Sequence, residues 1–341
     1  MKRKFTLTLL LCLSMFAGRV MAGEYIMLIG SSVADSSVEQ ILTEAGYTVY
    51  RGTGTYTGIL NQEKLDSLNK AALVIFSRNG SSAAHGDGSS TPGIVEQWAD
   101  VEAPILSLSV WIMRSSRWQW INSTTTACLQ SDTIYITETG ADHPIFTNIS
   151  LVNGGIPFTQ PGITRNESTP VVPELTTNSN IKILAVDSKT DDQRVAIAEW
   201  EAGVEFYSGS AVPSSTRMFL AISEGDNCKQ ETIRPNVMSA FNGTDQGKQL
   251  LLNSVAYLMG KPIINNVKKV TNNNLSLFPN PASEYLVLSN LKSTVNYKII
   301  NVNGAVVLKG QTTGRINVSS LPSGLYMIVT DNALSGKFLK Q

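Results

Sequence analysis

The sequence predicts an α/β protein built on a doubly wound, mainly parallel sheet and followed by a small antiparallel β-sandwich. From Glu24 onward, short apolar runs alternate with segments of helical periodicity, which is the pattern of β-α-β units. Residues 104–110 are nearly all apolar, as is typical of a strand that is covered on both faces. After Leu275, short apolar strands are separated by Asn-Pro, Asn-Gly and Pro-Ser-Gly turns, and this spacing favours a sandwich.

Composition bounds the class of protein. Of the 341 residues, 42% are hydrophobic and 16% are charged, which excludes disorder as the main state and leaves room for about two domains. The 27 basic and 27 acidic side chains balance, but they are segregated, and residues 23–274 hold 17 basic against 25 acidic ones. Because nucleic-acid binders present a basic field, we expect no nucleic-acid partner.

Residues 1–22 have the pattern of a secretory signal peptide. Lys2, Arg3 and Lys4 precede the apolar residues 5–17, and a boundary of small residues ends at Ala22. The apolar run is too short to span a bilayer comfortably, and no later segment approaches the length of a membrane helix. We therefore predict export by the Sec machinery, cleavage after Ala22 and no transmembrane span.

The elements of residues 23–262 alternate at first between strand and helix. A strand at residues 25–29 leads to a helix marked by Val38 and Ile41, which Gly46 ends. Further strands are predicted at residues 47–50, 72–76 and 104–110, with helical patterns at 65–68 and from residue 91 between them.

Beyond residue 134 the predicted strands become shorter. They lie at residues 181–186, 195–200, 204–208 and 218–222, before a last helix at 244–259 with Thr244 as its N-cap. Residues 23–262 are therefore predicted to form one α/β domain. Polar residues 263–274 form a linker, and residues 275–341 form the immunoglobulin-like sandwich.

Loops that follow the first, third and fourth strands carry polar and aromatic side chains. In doubly wound folds, ligands bind outside the carboxyl ends of the strands, so these loops should converge. Indole faces beside Arg and Asn side chains suit a glycan or another small polar ligand. The loop after the fourth strand also carries Trp118 and Trp120. The alternative is that these two indoles cover the end of the core and that Arg114 and Arg117 pair with nearby acids. The candidate ligand-binding residues are Ser31, Ser77, Arg78, Asn79, Trp111, Arg114, Arg117 and His143.

Several segments of the middle domain resemble the class I glutamine amidotransferase-like superfamily, and within it the trehalose-utilisation (ThuA-like) proteins. They read Ala-Leu-Val-Ile-Phe-Ser-Arg-Asn at 72–79, Ala-Asp-His-Pro-Ile-Phe at 141–146, Arg-Met-Phe-Leu at 217–220 and Gly-Lys-Gln-Leu-Leu-Leu-Asn-Ser at 247–254. The resemblance implies a flavodoxin- or amidotransferase-like sheet.

The nucleophile of that superfamily is missing. The family places a Cys on the turn after the fourth strand and a His-x-Glu downstream, but residues 108–112 read Leu-Ser-Val-Trp-Ile, and neither His85 nor His143 precedes such a Glu. We therefore expect a non-catalytic domain that needs no metal and no cofactor. Two alternatives are a saccharide hydrolase that uses carboxylates such as Asp87 or Asp142, and a purely structural surface protein.

Two cysteines remain after Cys12 leaves with the signal peptide. In an oxidising compartment Cys128 and Cys228 can form a disulfide, and the alternative is a pair of free buried thiols.

The C-terminal segment carries four motifs in order. They are Phe-Pro-Asn-Pro-Ala at 278–282, Tyr-Lys-Ile-Ile-Asn-Val-Asn-Gly at 297–304, Ile-Asn-Val-Ser-Ser-Leu-Pro-Ser-Gly-Leu-Tyr-Met at 316–327, and Lys-Phe-Leu-Lys-Gln at 337–341. Together they resemble the type A C-terminal sorting domain of the type IX (Por) secretion system of Bacteroidetes. The resemblance implies recognition by the type IX translocon, and release of the protein or attachment to lipopolysaccharide at the outer-membrane surface.

Overall fold

The structure, a computed structural model, describes residues 25–30, 35–52, 54–78, 80–160, 166–223, 228, 241–263, 277–289, 294–301, 305–330 and 335–341. The chain divides into two compact units, residues 1–264 and 265–341. The predicted signal peptide lies outside the described residues, and so does the predicted linker apart from its first residue.

The described residues of the first unit form eleven strands and seven helices, together with a short 3-10 turn at Pro144–Phe146. The strands are β1 (Tyr25–Ile29), β2 (Thr48–Arg51), β3 (Leu73–Phe76), β4 (Ile105–Ser107), β5 (Ala127–Cys128), β6 (Thr133–Ile136), β7 (Ile156–Pro157), β8 (Glu167–Ser168), β9 (Lys182–Val186), β10 (Val195–Trp200) and β11 (Arg217–Leu220). The helices are α1 (Ser36–Glu44), α2 (Gln62–Lys70), α3 (Ser82–Gly86), α4 (Ile94–Ala99), α5 (Val110–Met113), α6 (Pro173–Thr176) and α7 (Asp245–Leu258).

Nine of these strands form one mixed sheet in the order β2-β1-β3-β4-β11-β10-β9-β6-β7. Neighbours from β2 to β11 run parallel, and Phe76 and Phe219 flank Ser107 at the end of the central strand β4. From β11 to β7 every neighbouring pair is antiparallel. The carboxyl ends of β1, β3, β4 and β11 therefore meet at one edge of the sheet, which we call the strand-end edge.

The predicted fold class, a doubly wound and mainly parallel α/β protein, is wrong. The structure is mostly β and only 21% helical, and half of the large sheet is antiparallel. A parallel pair needs a crossover of a dozen or more residues, usually a helix, whereas the connection between β9 and β10 is a short turn that reverses the chain. Residues 204–208, predicted as a strand, contribute only an isolated bridge between Ser179 and Tyr207.

Local sequence explains the helices that do form. Val38, Ile41 and Leu42 place one face of α1 in the core, and Gly46 ends the turn with a φ of +90°, which favours glycine. The Thr244 hydroxyl accepts a hydrogen bond of 3.1 Å from the Gly247 N–H and caps α7.

A row of aromatic rings fills part of the core of the first unit. Trp118 lies 4.5 Å from Trp98 and 5.6 Å from Trp120, and Trp120 continues to Trp200 at 5.4 Å between ring centroids. Trp118 and Trp120 are 1% and 2% exposed, so they belong to the core and are not a ligand platform.

The described residues of the second unit form two antiparallel sheets. Its strands are β12 (Leu277–Phe278), β13 (Tyr285–Leu288), β14 (Val295–Asn301), β15 (Val306–Thr312), β16 (Arg315–Asn317), β17 (Gly324–Thr330) and β18 (Ser335–Lys340). The sheets have the orders β12-β13-β16 and β15-β14-β17-β18. Leu286 and Ile316 from the first sheet, and Ile299, Ile328 and Phe338 from the second, share one core.

Candidate functional site

Glu167 is the centre of the residues that gather at the strand-end edge. Its side chain is 3% exposed, and its Oε2 lies 2.6 Å from the Arg78 Nε. The Trp111 indole N–H donates a hydrogen bond to the same oxygen. Arg78 follows β3 and Trp111 lies in α5 after β4, so two of the predicted site residues meet on a carboxylate supplied by β8.

Sequence reasoning missed Glu167. It lies in a strand of two residues without apolar periodicity, 56 positions from Trp111. No pattern in the sequence joins it to the loops after β3 and β4, because the pairing exists only once the sheet has formed.

Arg114, another predicted residue, packs on the face of Trp111. Its guanidinium carbon lies 4.6 Å from the centre of the indole ring, and its Nε donates to the Trp111 carbonyl at 3.1 Å. Burial lowers the pKa of the Arg114 guanidinium, and the nearby Arg117 lowers it further. Among the residues that the structure describes, no carboxylate forms an ion pair with Arg114.

Ser77 forms a second polar contact at this edge. Its hydroxyl donates to Oδ1 of Asp35, which is 2% exposed and stands just before α1. Gly30, at the end of β1, is required beside this pair, because a Cβ at that position would come within 2.2 Å of the Asp35 carboxylate. Asp35, like Glu167, was not among the predicted residues.

Arg117 lies in a different environment from Arg114. Its Nη1 is 3.9 Å from Asp87, the carboxylate considered above for hydrolysis. Hydrogen bonds from Ser89 and Ser90, with a smaller contribution from Arg117, lower the pKa of Asp87 to about 2. Asp87 is thus held ionised, which does not suit a general acid.

His143 is not brought to the strand-end edge. Its Nε2 lies 3.0 Å from Oε2 of Glu199, and its ring packs edge-on against Tyr257 at 4.7 Å. Glu199 is opposite Met218 near the start of β11, whereas the other predicted residues follow the ends of strands. Ser31 and Asn79, the remaining predicted residues, lie outside the described residues.

Cys128 and Cys228 are joined by a disulfide, with Cα atoms 5.5 Å apart. The bond connects β5 to a residue eight positions after β11, so it ties the neighbourhood of Glu167 to the chain that leaves the central sheet. The described residues contain no group of three or more His, Cys, Asp or Glu side chains that could hold a metal ion.

A cavity of about 380 Å³ opens elsewhere on the first unit. It is lined by Asn122, Pro173, Glu174, Thr177, Asn178, Tyr207 and Ser208. The pattern of the sequence did not single it out, because its walls come from irregular segments and the four-residue helix α6.

The comparisons with known proteins give one weak structural likeness and one family match. Among solved structures, a cytoplasmic protein from Salmonella typhimurium matches with 9% sequence identity and a TM-score of 0.39, over 68% of this chain and 98% of that chain. This likeness assigns the first unit to no family, and the amidotransferase-like resemblance is not confirmed. A comparison with curated proteins finds no match.

The second unit matches a known family of domains. Residues 276–340 match the family described as secretion system C-terminal sorting domain. No helix among the described residues is long and apolar enough to cross a membrane. Residues 276–340 are therefore a C-terminal sorting domain of the type IX secretion system, and the protein is exported by that route, to be secreted or held at the outer-membrane surface.

Proposed function

We propose that the first unit is a non-catalytic module that binds an acidic saccharide at the strand-end edge after export. The observation that carries the proposal is the Arg114 guanidinium, which packs on Trp111 and forms no ion pair with a carboxylate among the described residues. An indole face and a guanidinium together offer apolar area for a sugar ring and a charged donor for its carboxylate.

The neighbouring charges favour an anionic ligand. Glu167 neutralises Arg78 at 2.6 Å, and Asp87 lies 3.9 Å from Arg117, whereas the positive charge of Arg114 is left uncompensated within the described part of the chain. The Trp111 indole is also held in place, because its N–H donates to the buried Glu167. A ligand carboxylate would therefore meet a preoriented cation, and such charge-assisted hydrogen bonds contribute about 1.5–3 kcal/mol.

The histidines support binding over hydrolysis. The His85 Nδ1 lies 2.7 Å from the Ser81 carbonyl, and the His143 Nε2 lies 3.0 Å from Glu199. The Ser109 hydroxyl, on the turn after β4, is buried and has no hydrogen-bond partner among the described residues. Nucleophilic catalysis by Ser109 would need a base hydrogen-bonded to its hydroxyl, and neither His85 nor His143 forms that hydrogen bond.

The route of export completes the proposal. The Sec machinery would carry the chain to the periplasm, the type IX translocon would carry it across the outer membrane, and surface lipopolysaccharide would retain it if it is not released. The strand-end edge would then meet saccharides outside the cell.

Calorimetric titration of the mature protein with glucuronate and with glucose tests the ligand class. We expect glucuronate to bind and glucose to bind at least about tenfold more weakly, a difference of about 1.4 kcal/mol. Arg114→Gln should remove this preference. The matched control is Arg51→Gln, which deletes a guanidinium that pairs with Glu39 at 2.5 Å.

Three results would contradict the proposal. They are the absence of glucuronate binding, equal affinity for the two sugars, and binding that survives Arg114→Gln but is lost in Tyr207→Ala. The last result would place the ligand in the cavity beside Tyr207.

A further inference from the structure

One strand of the sorting domain is apolar on both faces. Along β17, Tyr326 and Ile328 point into the core and are 7% and 0% exposed. Leu325 and Met327 point to the other side and are 50% and 37% exposed. In an antiparallel sheet with one solvated face, outward positions are ordinarily polar, so β17 has the composition of a strand covered on both sides.

The neighbouring strands extend this apolar surface. Leu325 is directly opposite Leu339, which is 44% exposed, on β18. On the other side Met327 is opposite Ile300 of β14, and Ile300 is opposite Val306, which is 50% exposed. We call the side chains of Ile300, Val306, Leu325, Met327 and Leu339 the outer apolar face.

Three exposed lysines lie on the same side of the sheet. Lys337 is opposite Met327, and Lys298 is opposite both Lys309 and Val329. None of the three forms an ion pair within the described part of the chain. Like charges placed opposite each other on neighbouring strands cost stability, and a carboxylate on a partner would relieve the repulsion between Lys298 and Lys309.

We propose that the outer apolar face and its lysines are the surface by which the sorting domain docks on a protein partner that presents an apolar centre and a carboxylate rim. The proposal rests on the sorting-domain assignment and is independent of the ligand proposed for the first unit. An exposed apolar patch edged with one sign of charge fits a partner of the opposite sign.

The same features disfavour two other occupants. A second copy of this face would bring lysines against lysines. A membrane surface is ordinarily met by interfacial Trp and Tyr side chains, and the outer apolar face has neither.

Export of the full chain in a host with a type IX system tests the proposal. We expect the double variant Leu325→Ser/Met327→Ser to reach the surface or the medium at least tenfold less than the unaltered protein, with accumulation in the periplasm. Charge reversal by Lys298→Glu/Lys337→Glu should do the same. The matched control, Leu151→Ser/Val152→Ser, removes two apolar residues of the first unit that are 54% and 56% exposed, and it should be exported normally.

Two further measurements keep the test decisive. Thermal unfolding must show that no purified variant is less stable than the unaltered protein, since these side chains are outside the core. Deletion of residues 275–341 must leave the protein in the periplasm, and export of that deletion would show that the sorting assignment itself fails.

Normal export of both double variants would overturn the proposal. It would also be overturned if the purified protein dimerises through this face in sedimentation, or if it sediments with phosphatidylglycerol vesicles and loses that binding in Leu325→Ser/Met327→Ser.

Discussion

Cys128 and Glu167 are directly opposite each other in the antiparallel pair β5–β8. The disulfide from Cys128 to Cys228 therefore lies beside the carboxylate that contacts Arg78 and Trp111. Among the described residues, β5 and β8 are short and pair with each other as a two-stranded sheet, so the cross-link is one strand away from the candidate site.

Loss of the disulfide should lower stability strongly. The bond closes a sequence separation of 100 residues, and in the chain-entropy model a loop of that length contributes about 4–5 kcal/mol. We expect Cys128→Ser/Cys228→Ser to lose about that amount of unfolding free energy in urea titrations, and to match the reduced wild type. A loss below about 1 kcal/mol would show that the cross-link does not constrain the unfolded chain as the model assumes.

Replacement of Glu167 by Gln should destabilise the first unit. The side chains of Glu167 and Arg78 are 3% and 13% exposed, so the change leaves a poorly hydrated guanidinium without its carboxylate. The expected cost is about 3 kcal/mol, measured by chemical unfolding.

The matched control for this change is Glu39→Gln. It breaks the Arg51–Glu39 pair, whose side chains are 25% and 32% exposed, and it should cost less than about 1 kcal/mol. Equal losses in the two variants would argue against a special role for the buried pair.

Arg217 should be among the least replaceable residues of the chain. It is fully buried, and its Nη2 donates to the carbonyl of Ala99, the last residue of α4, at 2.9 Å and to that of Val101, two residues later, at 2.8 Å. Arg217→Met would leave these carbonyls buried without donors, at an expected cost of about 3 kcal/mol or more.

Thermal and urea unfolding measure this effect. Lys182→Met, which removes an exposed cation from β9, serves as the control and should change stability by less than about 0.5 kcal/mol. A similar small change for Arg217→Met would mean that the loop carbonyls find water instead.

His85 should make stability fall in mild acid. Burial lowers the pKa of its imidazole from the ordinary 6.5, so below that pH the unfolded chain binds a proton that the folded chain does not. The free energy of unfolding therefore decreases as the pH drops through this range.

Melting temperatures at about pH 7.5 and pH 5 test this dependence. His85→Asn keeps a donor for the Ser81 carbonyl and removes the titrating ring. We expect a smaller acid-induced decrease in this variant than in the wild type, and an unchanged decrease would assign the effect to other groups.

Two sequence expectations depended on information that local sequence does not carry. Apolar runs placed β9 and β10 correctly as strands, but the direction of a strand depends on its connection, and a short turn made this pair antiparallel. Trp118 and Trp120 fitted a ligand platform as well as a core until their neighbours Trp98 and Trp200 were known.

The sequence by itself determined where this protein goes. Each motif of the sorting domain is an unbroken stretch of sequence, and the turns between strands depend on residues that are neighbours in the chain. The predicted sorting domain is confirmed over residues 276–340. Only the tertiary structure decided what meets at the strand-end edge. Glu167 and Trp111 are 56 residues apart, and so are His143 and Glu199. Such pairs are set by the packing of whole strands, so the fold joined Glu167 to Arg78 and Trp111 and placed His143 elsewhere.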